Sequence, residues 1–135
     1  MIVVDSSALI EYYRPSGETA VRTRVAQAVA ADQVAINGII QVELMAFARS
    51  AADREALAAD FRAFHWLELG RDQFDLAAEI GFSLRQEGVT VPATDLVIAA
   101  SAIVAGARLY HLDAHFDDIA KKSDLAGENL TSHLP

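Results

Sequence analysis

The first seven residues constrain the fold more than any other stretch of this sequence. Ile2–Val4 is an apolar run without a polar interruption, which is typical of a strand buried on both faces. Asp5 ends the run, and a helical pattern begins at Ser7. A carboxylate at the point where a buried strand gives way to a helix lies at the carboxyl edge of a sheet. Open α/β folds bind their ligands at that edge.

The rest of the chain alternates between strand-like and helical patterns. Strands are predicted at residues 2–4, 34–36, 65–69 and 108–112, and helices at 7–13, 18–31, 39–48, 50–64, 72–86, 96–105 and 115–121. The tail to residue 135 is polar and weakly patterned, with room for one last strand. Strands separated by helices, without a repeat or a linker, predict one α/β domain over residues 1–135 with a mostly parallel sheet of four to five strands.

Composition excludes several classes of protein. The absence of cysteine excludes disulfides, zinc–thiolate sites and a cysteine nucleophile. No apolar segment approaches the length of a membrane span, and the N-terminus lacks the pattern of a signal peptide, so a cytoplasmic protein is expected. The net charge of −8 argues against a general nucleic-acid coat protein, but it is compatible with carboxylates gathered in one pocket.

Four carboxylates interrupt apolar sequence at positions where a charge is costly. Asp5 and Asp113 end apolar strands, Asp95 opens an apolar helix, and Glu43 stands among apolar neighbours on another helix. Taken one at a time, each has an ordinary explanation. Asp5 and Asp95 can cap helices, Asp113 can be a turn residue, and Glu43 can lie on a solvated helix face.

The four carboxylates together favour a metal site. Parallel strands place Asp5 and Asp113 at the same edge of the sheet, and the helix dipole at Asp95 favours an anion. Clustered carboxylates repel one another and raise each other's pKa unless a cation lies between them. Oxygen ligands without cysteine point to Mg²⁺ or Mn²⁺, which activates water and neutralises a phosphodiester. Ser7 can orient Asp5, bind a water on the metal, or cap a helix.

These residues also carry a resemblance to a known family. The order and spacing of four motifs over nearly the whole chain resemble PIN-domain nucleases of the VapC type, the toxins of VapBC toxin–antitoxin pairs. The motifs are VVDSSALI at residues 3–10, VEL at 42–44, TDLVIAA at 94–100 and LDAHF at 112–116.

The resemblance implies a three-layer α/β/α PIN-like fold and a metal-dependent endoribonuclease that acts on tRNA, rRNA or mRNA and inhibits translation. It also implies a homodimer, a cognate VapB-type antitoxin, and Mg²⁺ or Mn²⁺ as cofactor. The acidic quartet of the family, which binds the metal and catalyses cleavage to a 5′-phosphate and a 3′-hydroxyl, falls on Asp5, Glu43, Asp95 and Asp113. The accessory hydroxyl of the family falls on Ser7.

The last motif departs from the family pattern. His115 stands where some relatives have another acid, and Asp117 lies further on, so the sequence leaves open whether a fifth carboxylate takes part. His115 is the only histidine predicted to lie beside the acidic residues. A structural role for it is favoured over a contact with substrate.

Two other classes of function remain open from the sequence. A phospho-acceptor receiver domain also gathers acids at strand ends, but it needs a lysine just after a late strand. The only lysines, Lys121 and Lys122, lie in a predicted helix and beyond it. A non-catalytic domain whose acids only cap helices would show no metal-dependent activity.

A groove for an antitoxin peptide is a further hypothesis for the apolar first helix around Leu9 and Ile10, whose side chains can equally face the core.

Overall fold

A parallel sheet forms the centre of the protein. A computed structural model describes residues 1–133, and within them five strands pair in the order β3-β2-β1-β4-β5, every pair parallel. The strands are β1 (Ile2–Val4), β2 (Val34–Ile36), β3 (His65–Trp66), β4 (Arg108–His111) and β5 (Ala126–Asn129). The predicted α/β class, the parallel sheet and the last strand in the tail are confirmed.

Helices cover both faces of this sheet. Between residues 1 and 133 the α-helices are α1 (Ser6–Tyr13), α2 (Thr19–Ala30), α3 (Gly38–Met45), α4 (Ala51–Ala63), α5 (Arg71–Gln86), α6 (Ala93–Ala105) and α7 (Ala114–Ala120), and a 3₁₀ turn follows at Leu130–His133. No helix in this range is long and apolar enough to cross a bilayer. Parallel crossovers are right-handed, which places α1 to α4 on one face and α5 to α7 on the other. This is the expected three-layer α/β/α arrangement.

The topology reverses direction beside β1. From β1 the chain moves outward to β2 and β3, and it then returns to β4 and β5 on the other side of β1. The gap beyond the carboxyl ends of β1 and β4 is therefore the switch point at which doubly wound folds form their ligand crevice. All three residues of β1 are buried, and the Asp5 N–H donates to the Tyr110 carbonyl at 2.9 Å. The backbone thus fixes Asp5 at the mouth of this crevice.

Three element ends differ from the sequence prediction by three residues, and the others differ by at most one. β3 is only two residues long and exposed, because it is an edge strand with a single partner, β2. Helix α3 ends at Met45 instead of residue 48, and Phe47 beyond it is 81% exposed, so no packing extends the helix. Helix α6 begins at Ala93 instead of residue 96, directly after Pro92, whose fixed φ suits a helix start. Asp95 therefore lies inside the first turn of α6 and is not its cap.

Candidate metal centre

Asp5 caps helix α1 with one oxygen and keeps the other free. Its Oδ2 accepts hydrogen bonds from the Ser7 N–H at 3.1 Å and the Ser7 hydroxyl at 2.6 Å. The Ser7 hydroxyl oxygen also accepts from the Leu112 N–H at 3.1 Å, which ties α1 to the end of β4. Asp5 is only 4% exposed, yet no described residue donates to its Oδ1. Because a carboxylate has two oxygens, helix capping and metal binding are compatible in the same residue.

Asp95, Asp113 and His115 form a compact group of possible ligands. Asp113 caps helix α7, where its Oδ1 accepts from the His115 N–H at 2.9 Å. The His115 ring places Nδ1 at 3.0 Å from Asp95 Oδ2 and 3.3 Å from Asp113 Oδ1. One donor atom from each of the three residues lies within 4.8 Å of the others. This is a spacing at which one ion can be bound by all three.

Glu43 lies at the side of this group on helix α3. Its Oε1 accepts a hydrogen bond from the Ser6 hydroxyl at 3.1 Å, which links α3 to the start of α1. Burial raises the pKa of Glu43, and the charges of Asp5 and Asp95 raise it further. Glu43 is therefore close enough to both aspartates to feel their charge. Among the described residues, it does not belong to the three-residue group whose donor atoms lie within 4.8 Å of one another.

Burial and mutual repulsion make the ionised cluster costly. Burial is the largest cause that raises the pKa of Asp5, hydrogen bonds from Ser7 oppose it, and the charge of Asp113 adds to it. Burial also raises the pKa of Asp95, the hydrogen bond from His115 lowers it, and the charges of Asp113 and Asp5 raise it. A divalent cation would relieve both effects at once, by pairing the buried charges and screening one carboxylate from another.

The structure groups two of the four predicted carboxylates, Asp95 and Asp113, with His115. Hydrogen bonds link the predicted Ser7 to Asp5 and to the end of β4, and they link Glu43 to the start of α1. Two participants were missed or given less weight from the sequence. Ser6 holds Glu43, and His115 enters the cluster despite the structural role favoured for it. The sequence offered two signals for them. Ser6 is adjacent to Asp5, and His115 follows Asp113 by two residues.

Asp117 points away from the cluster. Its Oδ2 accepts from Asn129 Nδ2 at 2.8 Å, and its Oδ1 lies 3.9 Å from His111 Nε2. His111 itself is 1% exposed, and burial lowers its pKa, so the ring is neutral and accepts from the Asp113 N–H through Nδ1. In this geometry the additional donor beside the four acids is His115 and not a fifth carboxylate.

The residues present fit a divalent metal ion. Carboxylate oxygens predominate, which is the donor type that Mg²⁺ and Mn²⁺ take in proteins. The buried, unpartnered Oδ1 of Asp5 is the specific observation, because a buried acceptor without a donor is unusual unless another group completes it. The Ser7 hydroxyl that bonds Asp5 also accepts from the Leu112 N–H, next to Asp113, so Asp5 lies at the same end of the sheet as the three-residue group.

A pH dependence of stability follows from the raised pKa of Asp5. The folded-state pKa lies above the unfolded-state value of about 3.9, so ionised Asp5 destabilises the metal-free protein at neutral pH, and this cost disappears as the pH falls through the folded-state pKa. We therefore expect Asp5→Asn, whose amide can donate to the neighbouring acids, to melt a few degrees higher than wild type at pH 7 with EDTA. This difference in melting temperature should disappear as the pH approaches about 4.

Thermal unfolding of both proteins between these pH values, with EDTA present throughout, measures the effect. Comparing the two proteins cancels the contribution of the carboxyl groups outside the cluster, which titrate in the same way in both. A gap that is the same at both ends of the pH range would contradict the prediction.

Comparisons with known proteins identify the family of this chain. The family model for the PIN domain matches residues 2–122. Ribonuclease VapC11 of Mycobacterium tuberculosis is 34% identical over 129 residues, which cover 93% of this chain and 96% of the relative. Among solved structures, FitAcB from Neisseria gonorrhoeae has a TM-score of 0.80 at 21% identity, covering 97% of this chain and 99% of that one. A toxin–antitoxin complex from Klebsiella pneumoniae has a TM-score of 0.62 at 24% identity, covering 84% and 88%. The chain therefore belongs to the PIN-domain family, with VapC ribonucleases among its relatives.

Proposed function

We propose that this protein is a metal-dependent endoribonuclease, the toxin of a type II toxin–antitoxin pair that inhibits translation by cutting tRNA, rRNA or mRNA. The observation that carries the proposal is the buried, unpartnered Oδ1 of Asp5 beside the other acids at the switch point of the sheet. The name of the relative, a VapC ribonuclease, supports the reaction class. The whole chain, residues 1–135, acts as one PIN domain in this proposal.

The four carboxylates divide between two tasks. Asp5, Asp95 and Asp113 would hold the ion, Mg²⁺ or Mn²⁺, which supplies positive charge to a phosphodiester under attack and makes water a better nucleophile. Glu43, held by Ser6, completes the set or orients the attacking water.

Ser7 acts through Asp5. It fixes the carboxylate so that Oδ2 is used in hydrogen bonds and Oδ1 is left without a donor. Attack by water in line with the departing 3′-oxygen leaves a 5′-phosphate and a 3′-hydroxyl. The RNA 2′-hydroxyl is not used.

The alternative functions fit less well. A phospho-acceptor domain needs a lysine at the acidic cluster, but Lys122 pairs with Glu87 and Lys121 lies 3.8 Å from Asp118. A domain whose acids only cap helices would leave no reason for Asp5 Oδ1 to be buried without a donor. Both observations favour the nuclease.

The same proposal includes a VapB-type antitoxin and a homodimer, which are the assemblies expected of a VapC toxin, and a cytoplasmic location beside the RNA. The solved toxin–antitoxin complex of similar fold supports the first partner. Large apolar side chains remain exposed and suit protein contacts, including Phe47 at 81%, Phe82 at 68% and Val42 at 64%. In the first helix, Leu9 is in the core and unable to contact an antitoxin, whereas Ile10 is 47% exposed.

Cleavage of end-labelled RNA tests the proposal. A panel of tRNA, rRNA fragments and mRNA is incubated with purified protein and Mg²⁺ or Mn²⁺, with an EDTA control. We expect metal-dependent cuts whose downstream fragments carry a 5′-phosphate. Cleavage that survives EDTA, or products that end in a 2′,3′-cyclic phosphate, would contradict the mechanism.

A further inference from the structure

His115 adds a nitrogen donor to a group of oxygen donors. Its Nδ1 is 3.0 Å from Asp95 Oδ2 and 3.3 Å from Asp113 Oδ1, so it lies between the two carboxylates. The side chain is 41% exposed, close to the 37% of Asp113, so both are accessible to an entering ion. Among the histidines of residues 1–131, no other shares such a group with two or more acids.

The spacing of the three donor atoms suits one ion. Bonds from a divalent first-row metal or magnesium to nitrogen and oxygen are about 2.0–2.2 Å long, so two ligands of one ion lie at most about 4.4 Å apart. The three donor atoms lie within 4.8 Å of one another, so only small side-chain rotations are needed. Independently, Asp5 presents a buried oxygen without a donor beside the same group. A ligand is therefore indicated by two separate observations.

We propose that His115 Nδ1 is a ligand of the ion that Asp95 and Asp113 hold, and that this nitrogen makes the site selective for Mn²⁺ over Mg²⁺. The inference rests on the proposed function, because it specifies the ion at the same site. Mg²⁺ is bound almost entirely by oxygen and gives up its waters reluctantly, whereas imidazole suits transition metals. An all-carboxylate set would serve either ion, and replacing one oxygen by an imidazole nitrogen favours the transition metal.

The hydrogen bonds of His115 are compatible with this role. In the metal-free protein, Nδ1–H can donate to Asp95 and Asp113, which keeps the ring oriented toward both. A nitrogen that binds a metal carries no proton, so Nδ1 would bind the ion in the tautomer that has its proton on Nε2. The N–H of His115 also donates to Asp113 Oδ1, so ring and carboxylate are held by the same turn of α7. The ligand atoms are thus positioned before the ion arrives.

Electron paramagnetic resonance of Mn²⁺ tests the proposal without measuring cleavage. Mn²⁺ binding is titrated for wild type, His115→Gln, His115→Asp and the control His65→Gln, and Mg²⁺ binding is measured by competition. His65 is a matched control, because it is 44% exposed and its Nε2 lies 3.4 Å from an acid, Asp32, outside the cluster. Electron spin echo modulation then reports whether a ¹⁴N nucleus is bonded to the bound Mn²⁺.

We expect ¹⁴N modulation in wild type and His65→Gln, and none in His115→Gln or His115→Asp. His115→Gln should weaken Mn²⁺ binding by about tenfold and change Mg²⁺ binding less, whereas His115→Asp should lower the preference for Mn²⁺ by about tenfold. Binding of Mn²⁺ to wild type without ¹⁴N modulation, or an unchanged preference in both His115 variants, would overturn this inference and leave the nuclease proposal standing. If wild type bound neither ion, both proposals would fail.

Discussion

Asp5→Asn and Asp95→Asn should each abolish metal-dependent RNA cleavage, with rates at least about 10³-fold below wild type, or about 4 kcal/mol of transition-state stabilisation. Both residues are at least nine-tenths buried, and each loses a charged oxygen that the ion requires. The fold should survive, because asparagine keeps the shape of aspartate and accepts the hydrogen bonds from Ser7 or His115. Rates on one labelled RNA with saturating Mn²⁺ measure the effect.

Asp117→Asn is the matched control for these variants. Asp117 lies four residues after Asp113 in the sequence, but it is directed toward Asn129, outside the candidate metal centre. Its cleavage rate should stay within about threefold of wild type, which corresponds to less than 1 kcal/mol. In parallel, Mn²⁺ should raise the melting temperature of wild type and Asp117→Asn but not of the two cluster variants. Cleavage by Asp5→Asn at the wild-type rate would show that the metal does not bind at this site.

The sheet edge that carries this site could be predicted from the sequence for a simple reason. Short apolar runs that end in a carboxylate mark the ends of buried strands, and parallel strands bring such ends together. The strands β1 and β4, with Asp5 and Asp113 after them, follow this rule. The predicted parallel sheet is confirmed because hydrophobic periodicity is a property of the local sequence. The three-layer arrangement, which the family resemblance implied, is confirmed with it.

The contacts across elements could not be predicted in the same way. The hydrogen bond from Ser6 to Glu43 joins residues 37 positions apart, and that from His115 to Asp95 joins residues 20 positions apart. Such pairs depend on how α1, α3, α6 and α7 pack, which single-sequence patterns do not encode. Helix ends depend on packing as well, as the early end of α3 beside the exposed Phe47 illustrates.

Phe116→Ala should destabilise the protein by about 3–5 kcal/mol, the range for removing a buried aromatic ring. Phe116 is completely buried, and its ring centroid lies 5.0 Å from that of His111, so it fixes helix α7 against β4. Because folded domains are stable by only about 5–15 kcal/mol, this is a large part of the total. Urea unfolding with EDTA measures it. The control Phe82→Ala removes the same ring from a side chain that is 68% exposed and should change stability by no more than about 0.5 kcal/mol.

The same variant connects packing to the metal centre. Phe116 directly follows His115, and it lies in the helix that Asp113 caps, so a loosened α7 would move two proposed ligands together. An ion that binds only the folded arrangement would stabilise it by about 2.7 kcal/mol at a concentration of 100 Kd. Saturating Mn²⁺ should therefore bring the stability of Phe116→Ala much of the way back to that of metal-free wild type. The variant should bind Mn²⁺ with a weaker Kd than wild type does. Equal Mn²⁺ affinity in the two proteins would show that α7 keeps its ligands in place without this ring, and would contradict the coupling.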